Sequence, residues 1–254
     1  MPPSILQLTD PHVGADWQPA DPLDTLRAVI AAVRALPQTP AVALVTGDLT
    51  NGGSDEDYAR LAAVLAELGL AVHVLPGNHD DRAALRRHFD VGGRGADPIQ
   101  YALELDGLRV LMLDTLRPGE DDGELGPERL AWIATELEAR PRVPTLLAMH
   151  HPPFRSGLRD MDRYALAAED RRAVDALVTE HPQVCGVIAG HVHRAMSAAV
   201  GGRPAVTVPS TYCQLGLDFE AERLQMVAEP VGFALHTLVD GRLVCHVQTL
   251  AITA

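Results

Sequence analysis

Five short polar motifs, each placed directly after an apolar run, constrain the fold of this chain more than any other feature of its sequence. A short apolar run bounded by turn residues is typical of a buried strand, so each motif stands at the carboxyl end of a predicted strand. In a parallel sheet these ends share one edge, where loops converge and ligands collect. The motifs are Asp10-Pro11-His12, Gly47-Asp48-Leu49-Thr50-Asn51, Gly77-Asn78-His79-Asp80, His150-His151-Pro152 and Gly190-His191-Val192-His193.

Apolar runs rich in valine, isoleucine and leucine predict six strands, and helical periodicity fills most of the intervals between them. Strands that alternate with helices favour a largely parallel sheet enclosed by helical layers. The predicted strands are residues 4–9, 41–46, 71–75, 108–113, 145–149 and 184–189. The predicted helices include one whose apolar face spans residues 23–33, one whose apolar face spans residues 61–68 before Gly69 ends it, a helix from Gly126-Pro127 to before Pro141, and a helix over roughly 170–180.

The C-terminal part of the chain shows a different pattern, in which tight turns separate strand-like runs. Gly201-Gly202 and Asp240-Gly241 are dipeptides typical of hairpin turns. We therefore expect a second, more antiparallel sheet that packs against the first. Residues 154–169 and 212–231 combine weak periodicity with mixed charge, which predicts small insertions that form a cap or an interface. No clear boundary divides the chain, so residues 1–254 are expected to form a single domain.

Length and charge limit the classes of function. The 254 residues are 47% hydrophobic, which suits one large α/β domain. A formal charge of −13 argues against a nucleic-acid polymer as partner, because such binding depends on many cationic side chains. No run of about 18 apolar residues predicts a membrane span, and the N-terminus does not resemble a signal peptide. With three cysteines in no CxxC spacing, we expect a reduced, cytoplasmic protein that does not bind membranes.

The first two motifs offer carboxylate and imidazole ligands for metal ions. Asp10 and His12 lie two residues apart after a strand, and Pro11 stiffens the turn, so both side chains can face one metal. Asp48 can bridge a pair of metals through its two carboxylate oxygens. The alternative for Asp48 is the N-cap of the next helix, although that helix is predicted to begin near Asp55.

The remaining motifs add one amide and several histidines. Asn78 can offer a neutral carbonyl oxygen to a metal, and His79 can direct a ring nitrogen to a phosphoryl group. The alternative for Asn78 is an ordinary turn. A lone histidine is more often structural than a ligand, but His150, His191 and His193 all follow strand ends in a chain that also places aspartates there.

In order and content, the five motifs resemble the signature of the calcineurin-like metallophosphoesterase superfamily, from Asp10 to His193. The length of the chain, the block Met149-His150-His151-Pro152-Pro153 and the closing Gly-His-Val-His resemble bacterial class III cyclic-nucleotide phosphodiesterases and the related glycerophosphodiesterases. The resemblance implies an α/β fold, a four-layer αββα sandwich of two mixed β-sheets flanked by helices.

The resemblance also implies a role for each motif residue at a pair of metal ions. His79 matches the histidine that contacts the phosphate and can protonate the leaving group. Mixed oxygen and nitrogen ligands suit iron, manganese, zinc or cobalt, and the resemblance suggests iron beside Asp10 and His12 with manganese or zinc at the other position. The implied ligands are Asp10, His12, Asp48 and His193 for one metal, and Asp48, Asn78, His150 and His191 for the other.

The motifs therefore predict a metal-dependent phosphodiesterase. A hydroxide that bridges two metals about 3.5–4 Å apart would attack phosphorus, while His79 assists the leaving alkoxide. The expected substrates are small-molecule phosphodiesters, either a cyclic nucleotide such as cyclic AMP or a glycerophosphodiester. The main alternative is a phosphomonoesterase on the same metal core, and a nuclease or a non-catalytic scaffold is less favoured. A homodimer is expected only by analogy with the family.

Overall fold

The predicted strands and helices are all present in the structure, a computed structural model that describes residues 3–251. Their ends differ from the predicted ones by a few residues. In chain order the elements are β1 (Ile5–Leu8), α1 (Pro22–Arg34), β2 (Val42–Thr46), α2 (Asp55–Leu65), β3 (Val72–Leu75), α3 (Arg82–His88), β4 (Tyr101–Leu105), β5 (Leu108–Leu113), α4 (Gly126–Ala139), β6 (Thr145–Met149), α5 (Ala168–Glu180), β7 (Val184–Ala189), β8 (Met196–Val200), β9 (Arg203–Thr207), β10 (Gln214–Leu215), β11 (Met226–Val227), β12 (Val231–Val239) and β13 (Arg242–Leu250), with 3₁₀ turns at Ala66–Leu68 and Met161–Tyr164.

Two large mixed sheets contain most of the strands. The first has the order β13-β12-β1-β2-β3, and the second has the order β4-β5-β6-β7-β9-β8. The expectation of a separate antiparallel C-terminal sheet is wrong. The hairpin β12–β13 instead pairs antiparallel with β1 in the first sheet, and the hairpin β8–β9 joins the second sheet through a parallel pairing of β9 with β7. Each hairpin thus satisfies backbone groups that a bare sheet edge would expose.

Alternation of apolar side chains along the strands sets the layers, because successive residues of a strand point to opposite faces. In β5, Val110 and Met112 pack between the two sheets, whereas Leu111 and Leu113 pack against the second helical layer. In β1, Ile5 faces the other sheet and Leu6 faces the first helical layer. Three apolar interfaces result, and they confirm the predicted αββα order of layers.

Capping explains where the first helices begin and excludes one alternative for Asp48. The helix α2 starts at Asp55 because Ser54 occupies its N-cap and accepts a hydrogen bond from the Asp57 backbone N–H at 3.1 Å. Asp48 therefore lies well before this helix and does not cap it. The short helix α3 escaped the sequence analysis, since its seven residues are too few to show helical periodicity.

The loops after five strands lie together at one end of the molecule. The pairing of β1 with β2 continues into the loops, where Asp10 N–H donates to the Gly47 carbonyl at 3.1 Å and His12 N–H donates to the Asp48 carbonyl at 3.0 Å. Gly190 N–H similarly donates to the His150 carbonyl at 3.0 Å. We call the carboxyl ends of β1, β2, β3, β6 and β7 the metal edge. Within residues 3–251, no helix has the length and apolar character that a membrane crossing requires.

Candidate metal centre

The metal edge brings the predicted ligand residues into two adjoining groups. In one group, the ligand atoms of four buried side chains lie within 4.8 Å of one another. In the other, His150 Nε2 lies 3.1 Å from Asn78 Oδ1 and 3.2 Å from His191 Nδ1. Five loops that are distant in sequence thus supply one cluster of nitrogen and oxygen atoms. The four residues of the first group are Asp10, His12, Asp48 and His193.

Asp48 connects the two groups through a single oxygen. Its Oδ2 atom lies 3.4 Å from His12 Nε2 and 3.4 Å from His150 Nε2, and each of these histidines belongs to a different group. Its Oδ1 atom accepts a hydrogen bond from the His79 backbone N–H at 3.0 Å. A bridge by Asp48 across two metals stays a prediction, and Oδ2 is the oxygen that lies 3.4 Å from a ring nitrogen of each group.

Main-chain carbonyls orient the histidine rings and fix which nitrogen carries the proton. A carbonyl oxygen can only accept a hydrogen bond, so the ring nitrogen beside it must be the donor. The other nitrogen of each neutral ring is then a lone pair that is free to bind a metal. The pairs are His150 Nδ1 with the Thr46 carbonyl at 2.9 Å, His193 Nδ1 with the Cys213 carbonyl at 2.8 Å, His191 Nε2 with the Tyr164 carbonyl at 2.9 Å, and His79 Nδ1 with the Asn51 carbonyl at 3.1 Å.

Ring nitrogens also face one another, which tests whether the residues fit metal ions. His12 Nε2 lies 3.0 Å from His193 Nε2, and His150 Nε2 lies 3.2 Å from His191 Nδ1. Two ring nitrogens stay at such distances when a proton or a cation lies between them, and no carbonyl fixes the tautomer of His12. His12 Nδ1 is buried without a hydrogen-bond partner among residues 3–251. Imidazole, carboxylate and amide donors in this arrangement fit two first-row transition-metal ions.

Burial and neighbouring charges shift the pKa values of the metal-edge groups in different directions. Burial raises the pKa of Asp10, whereas His150 and His12 overcome the same effect at Asp48 and hold its pKa well below the ordinary value. Burial opposes a charge on His150, but the carboxylates of Asp48 and Asp10 raise its pKa to about 9. Burial lowers the pKa of His12 and His191 well below the ordinary value. The carboxylates at the metal edge thus favour positive charge, while burial keeps the rings of His12 and His191 neutral.

Unusual backbone conformations coincide with the predicted ligands. Among the described residues, six that are not glycine have a positive φ, and five of these six are predicted metal ligands. The left-handed region costs about 1–3 kcal/mol for such a residue, and it persists where the surrounding structure enforces it. At these five residues the left-handed backbone turns the side chain back toward the metal edge soon after a strand ends. The five are Asp10 (51°), His12 (43°), Asp48 (50°), His191 (70°) and His193 (50°), and the sixth is Asp240 in the β12–β13 turn.

Three motif glycines, Gly47, Gly77 and Gly190, are required by close approach. A Cβ atom on Gly77 would collide with the carboxylate and the backbone nitrogen of Asp48. A Cβ atom on Gly190 would collide with Thr9 Oγ1 and would lie 3.0 Å from Asp10 Oδ2. The metal edge therefore depends on glycine where one ligand loop crosses another.

Asp80 ties two ligand loops together. It accepts hydrogen bonds from the backbone N–H groups of Leu49 at 3.1 Å and Gly77 at 2.9 Å, and from the Tyr58 hydroxyl at 2.8 Å. Burial raises its pKa to about 6.

Neither Asp80 nor Asp114 orients the ring of a predicted ligand. Neither carboxylate accepts a hydrogen bond from a histidine ring within residues 3–251. Asp114 pairs with the buried Arg82 guanidinium, with its oxygens 2.7 and 2.9 Å from Nε and Nη2. Main-chain carbonyls orient the rings of His150, His191 and His193.

His79 and His151 lie beside the two groups in different situations. The His79 ring centroid is 4.8 Å from that of His12, and the ring lines the cleft above the metal edge. His151 lies close to His150 and His191. Its two nitrogens are already paired, with Thr115 Oγ1 at 2.8 Å and the Asp121 carbonyl at 3.2 Å, and burial lowers its pKa to about 3. His151 is therefore placed to support the site, and His79 is placed to meet a substrate.

Loop residues that the sequence analysis did not select complete the cleft, whose volume is about 200 Å³. They come from the loop between β1 and α1, from the 3₁₀ turn at Met161–Tyr164, and from residues 121 and 224–226. The two segments predicted as insertions, residues 154–169 and 212–231, supply four of these residues, whereas no motif or periodicity marked Trp17 or Asp121. The residues are Trp17, Asp121, Met161, Tyr164, Leu224 and Met226.

Comparison with known proteins identifies the family of this chain. Residues 3–195 match the family model described as calcineurin-like phosphoesterase. A Rhodococcus erythropolis protein named "Probable cyclic nucleotide phosphodiesterase" is 34% identical over 82% of this chain and 70% of its own length. An Arcobacter nitrofigilis protein named "Probable glycerophosphodiester phosphodiesterase GpdQ" is 29% identical over 91% of this chain and 87% of its own length.

Solved structures show the same fold. A dimetal phosphatase from Danio rerio superposes with a TM-score of 0.75 and 17% identity, and the match covers 100% of both chains. The family match includes all five motifs and the described ligand groups. This chain is therefore a member of the calcineurin-like phosphoesterase family.

Proposed function

We propose that this chain is a metal-dependent phosphodiesterase that hydrolyses phosphodiesters of small molecules. The observation that carries the proposal is the position of Asp48 Oδ2, which faces two groups of lone pairs at equal distances of 3.4 Å. One shared carboxylate oxygen between two ligand groups suits a pair of metal ions. The proposed ligands are Asp10, His12, Asp48 and His193 for one metal and Asp48, Asn78, His150 and His191 for the other.

Two bound cations would supply Lewis acidity, which stabilises charge on the phosphoryl oxygens and lowers the pKa of bound water. The chain contributes the arrangement of its own groups. Asp48 is held ionised by His150 and His12, and backbone carbonyls orient the rings of His150, His191 and His193. These contacts exist before a substrate arrives, so little reorganisation is needed at the reacting centre.

His79 is the proposed proton donor to the leaving group. Its Nδ1 atom donates to the Asn51 carbonyl at 3.1 Å, so in the imidazolium form of His79 the Nε2–H group is the donor available to a substrate in the cleft. The backbone N–H of His79 also holds Asp48 Oδ1 at 3.0 Å, which fixes the position of the ring relative to the metal pair. A leaving alkoxide needs such a proton far more than a stabilised phenolate does.

The substrate is proposed to be small. Two relatives carry names for cyclic nucleotide and glycerophosphodiester hydrolysis, and the cleft of about 200 Å³ suits a small molecule. The charge of −13 disfavours a polymeric phosphate backbone. For the metals we propose iron beside Asp10 and His12 and manganese or zinc at the other position. The homodimer and the cytoplasmic location stay predictions.

Steady-state kinetics on matched substrates test the proposal. The metal-depleted protein is reconstituted with Mn²⁺, its metal content is measured, and it is assayed on cyclic AMP, glycerophosphoethanolamine, bis(p-nitrophenyl) phosphate and p-nitrophenyl phosphate. We expect a diester to be preferred by about tenfold or more in kcat/KM, or roughly 1.4 kcal/mol. A preference for the monoester would favour a phosphomonoesterase, and no turnover with two metals bound would favour a scaffold.

A further inference from the structure

The walls of the cleft come from two small apolar clusters that are separate from the main cores. Trp17 packs with Tyr212 and Met226 in one of them. Met161 and Leu224 belong to the other. Both clusters border the cleft beside His79 and the metal ligands. The surface around the metal edge is therefore aromatic and apolar, although the metal edge itself is polar.

Hydrogen bonds to a distant segment hold Trp17 in place. The backbone N–H of its neighbour Gln18 donates to the Tyr212 hydroxyl at 2.9 Å, and Gln18 Nε2 donates to the Met226 carbonyl at 3.1 Å. The Trp17 ring centroid lies 4.5 Å from that of His12 and 6.3 Å from that of Tyr212. The indole is thus fixed directly beside a predicted metal ligand before any substrate binds, which lowers the entropic cost of using it for recognition.

The charges around the cleft restrict what can bind there. Within residues 3–251, no arginine lines the cleft, and the sequence contains no lysine. Beyond the groups of the metal edge, the charged residue of the lining is Asp121. A substrate with a second phosphate would find no cationic side chain there. A flat, uncharged ring would find the indole of Trp17 and the apolar side chains of Met161 and Leu224.

We propose that Trp17 is a specificity-determining residue that stacks on a planar ring of the substrate. This inference rests on the proposed phosphodiesterase function and deepens it. The chain should favour diesters that carry a nucleobase or another uncharged planar ring over diesters of glycerol. Stacking of a base on an aromatic side chain is strong enough to change affinity by about tenfold or more.

The kinetic test compares Trp17→Leu, which keeps an apolar side chain without a ring, with Trp17→Phe, which keeps a ring. Both are assayed with wild type on cyclic AMP, glycerophosphoethanolamine and glycerophosphocholine. In Trp17→Leu the ratio of kcat/KM for cyclic AMP to that for glycerophosphoethanolamine should fall about tenfold, mainly through KM. Trp17→Phe should recover most of that ratio.

Two kinetic outcomes would overturn the inference. An equal fall on all three substrates would mean that Trp17 only supports His12. A fall confined to glycerophosphocholine would assign the indole to a quaternary ammonium group, through a cation–π contact beside Asp121.

A binding experiment gives a readout that does not require turnover. The chain has two tryptophans, so Trp132→Phe leaves Trp17 as the only indole fluorophore. Titration of this variant with adenosine 5′-monophosphate should quench the fluorescence, whereas ribose 5-phosphate should leave it nearly unchanged. Equal quenching by both would overturn the inference.

The two experiments together separate the inference from the function on which it rests. If wild type hydrolyses no diester but adenosine 5′-monophosphate still quenches the Trp17 fluorescence, the proposed phosphodiesterase function fails and the stacking role of Trp17 stands. If diesters are hydrolysed but Trp17→Leu leaves the ratio of kcat/KM for cyclic AMP to that for glycerophosphoethanolamine unchanged, the phosphodiesterase function stands and the stacking role fails.

Discussion

The metal edge and the walls of the cleft are built in opposite ways. The predicted ligands of the metal edge are polar and carried by short local motifs, all except Asn78 are buried, and five of them adopt a strained positive φ. The walls are apolar side chains on loops, held by contacts between segments about 200 residues apart, such as Gln18 with Tyr212. Chemistry is therefore specified locally and recognition is specified by tertiary contacts. The two regions should respond differently to mutation.

The largest loss of activity is expected from a change at Asp48, whose Oδ2 atom faces both ligand groups. Asp48→Asn keeps the size of the side chain but removes its negative charge, so it should lower the affinity for the metal pair. We expect kcat/KM to fall by at least about a thousandfold, which exceeds the roughly 10–100-fold typical of residues that only support ligands. Metal analysis after gel filtration should show fewer than two ions per chain.

Asp240→Asn is the matched control for this variant. Asp240 has a φ of 51°, close to the 50° of Asp48, but it lies in a hairpin turn remote from the metal edge. Near-normal turnover by Asp48→Asn with two metals bound would contradict a shared carboxylate.

The next effect should depend on the substrate. His79→Asn removes the proposed proton donor and leaves both ligand groups in place, so metal content should be unchanged. Diesters with an alkoxide leaving group should slow by about 10²–10⁴-fold. Those with a p-nitrophenolate leaving group should slow much less, because that group departs without a proton. Equal slowing across leaving groups would indicate that His79 positions the phosphate.

A smaller loss of metal affinity should follow from adding a methyl group at Gly77, where the loop after β3 crosses the loop that carries Asp48. Gly77→Ala puts a methyl group against the Asp48 carboxylate, so competition with a chelator should show metal affinity reduced by about 10–100-fold. Gly52→Ala is the control, since its Cβ atom would meet nothing within 4 Å. Wild-type affinity in Gly77→Ala would show that the loop relaxes without loss.

Sequence patterns identified the metal edge better than its surroundings, for physical reasons. The motif residues stand out because carboxylate and imidazole groups after buried strands have few structural uses. The carbonyls of Tyr164 and Cys213 orient two ligand rings, yet a main-chain carbonyl leaves no trace in the residue type. The hairpin β12–β13 was recognised by its turn, but its pairing with β1 depends on which sheet edge is open. Trp17 gained its role only through tertiary contacts.

A buried histidine beneath the metal edge should affect stability and leave the chemistry unchanged. His236 Nε2 lies 2.8 Å from Gln7 Oε1, and Gln7 Nε2 in turn donates to the Ala189 carbonyl, which links the two sheets. The Nδ1 atom of His236 is buried without a partner among the described residues. Burial, with a further contribution from nearby His246, lowers the pKa of His236 to about 3 from the ordinary 6.5.

Because the folded protein keeps His236 neutral, the unfolded chain takes up the proton first as the pH falls. The stability that this residue contributes is full above pH 6.5 and is lost as the pH falls toward 3, by up to about 1.4 kcal/mol per pH unit. His236→Gln keeps a donor to Gln7 and removes the titration. Urea unfolding from pH 7 to pH 4 should therefore show a flatter decline for this variant than for wild type, with metal content unchanged at pH 7. A decline as steep as that of wild type would mean that His236 accepts a proton in the folded state, and loss of metal would show that the link between the sheets also shapes the metal edge.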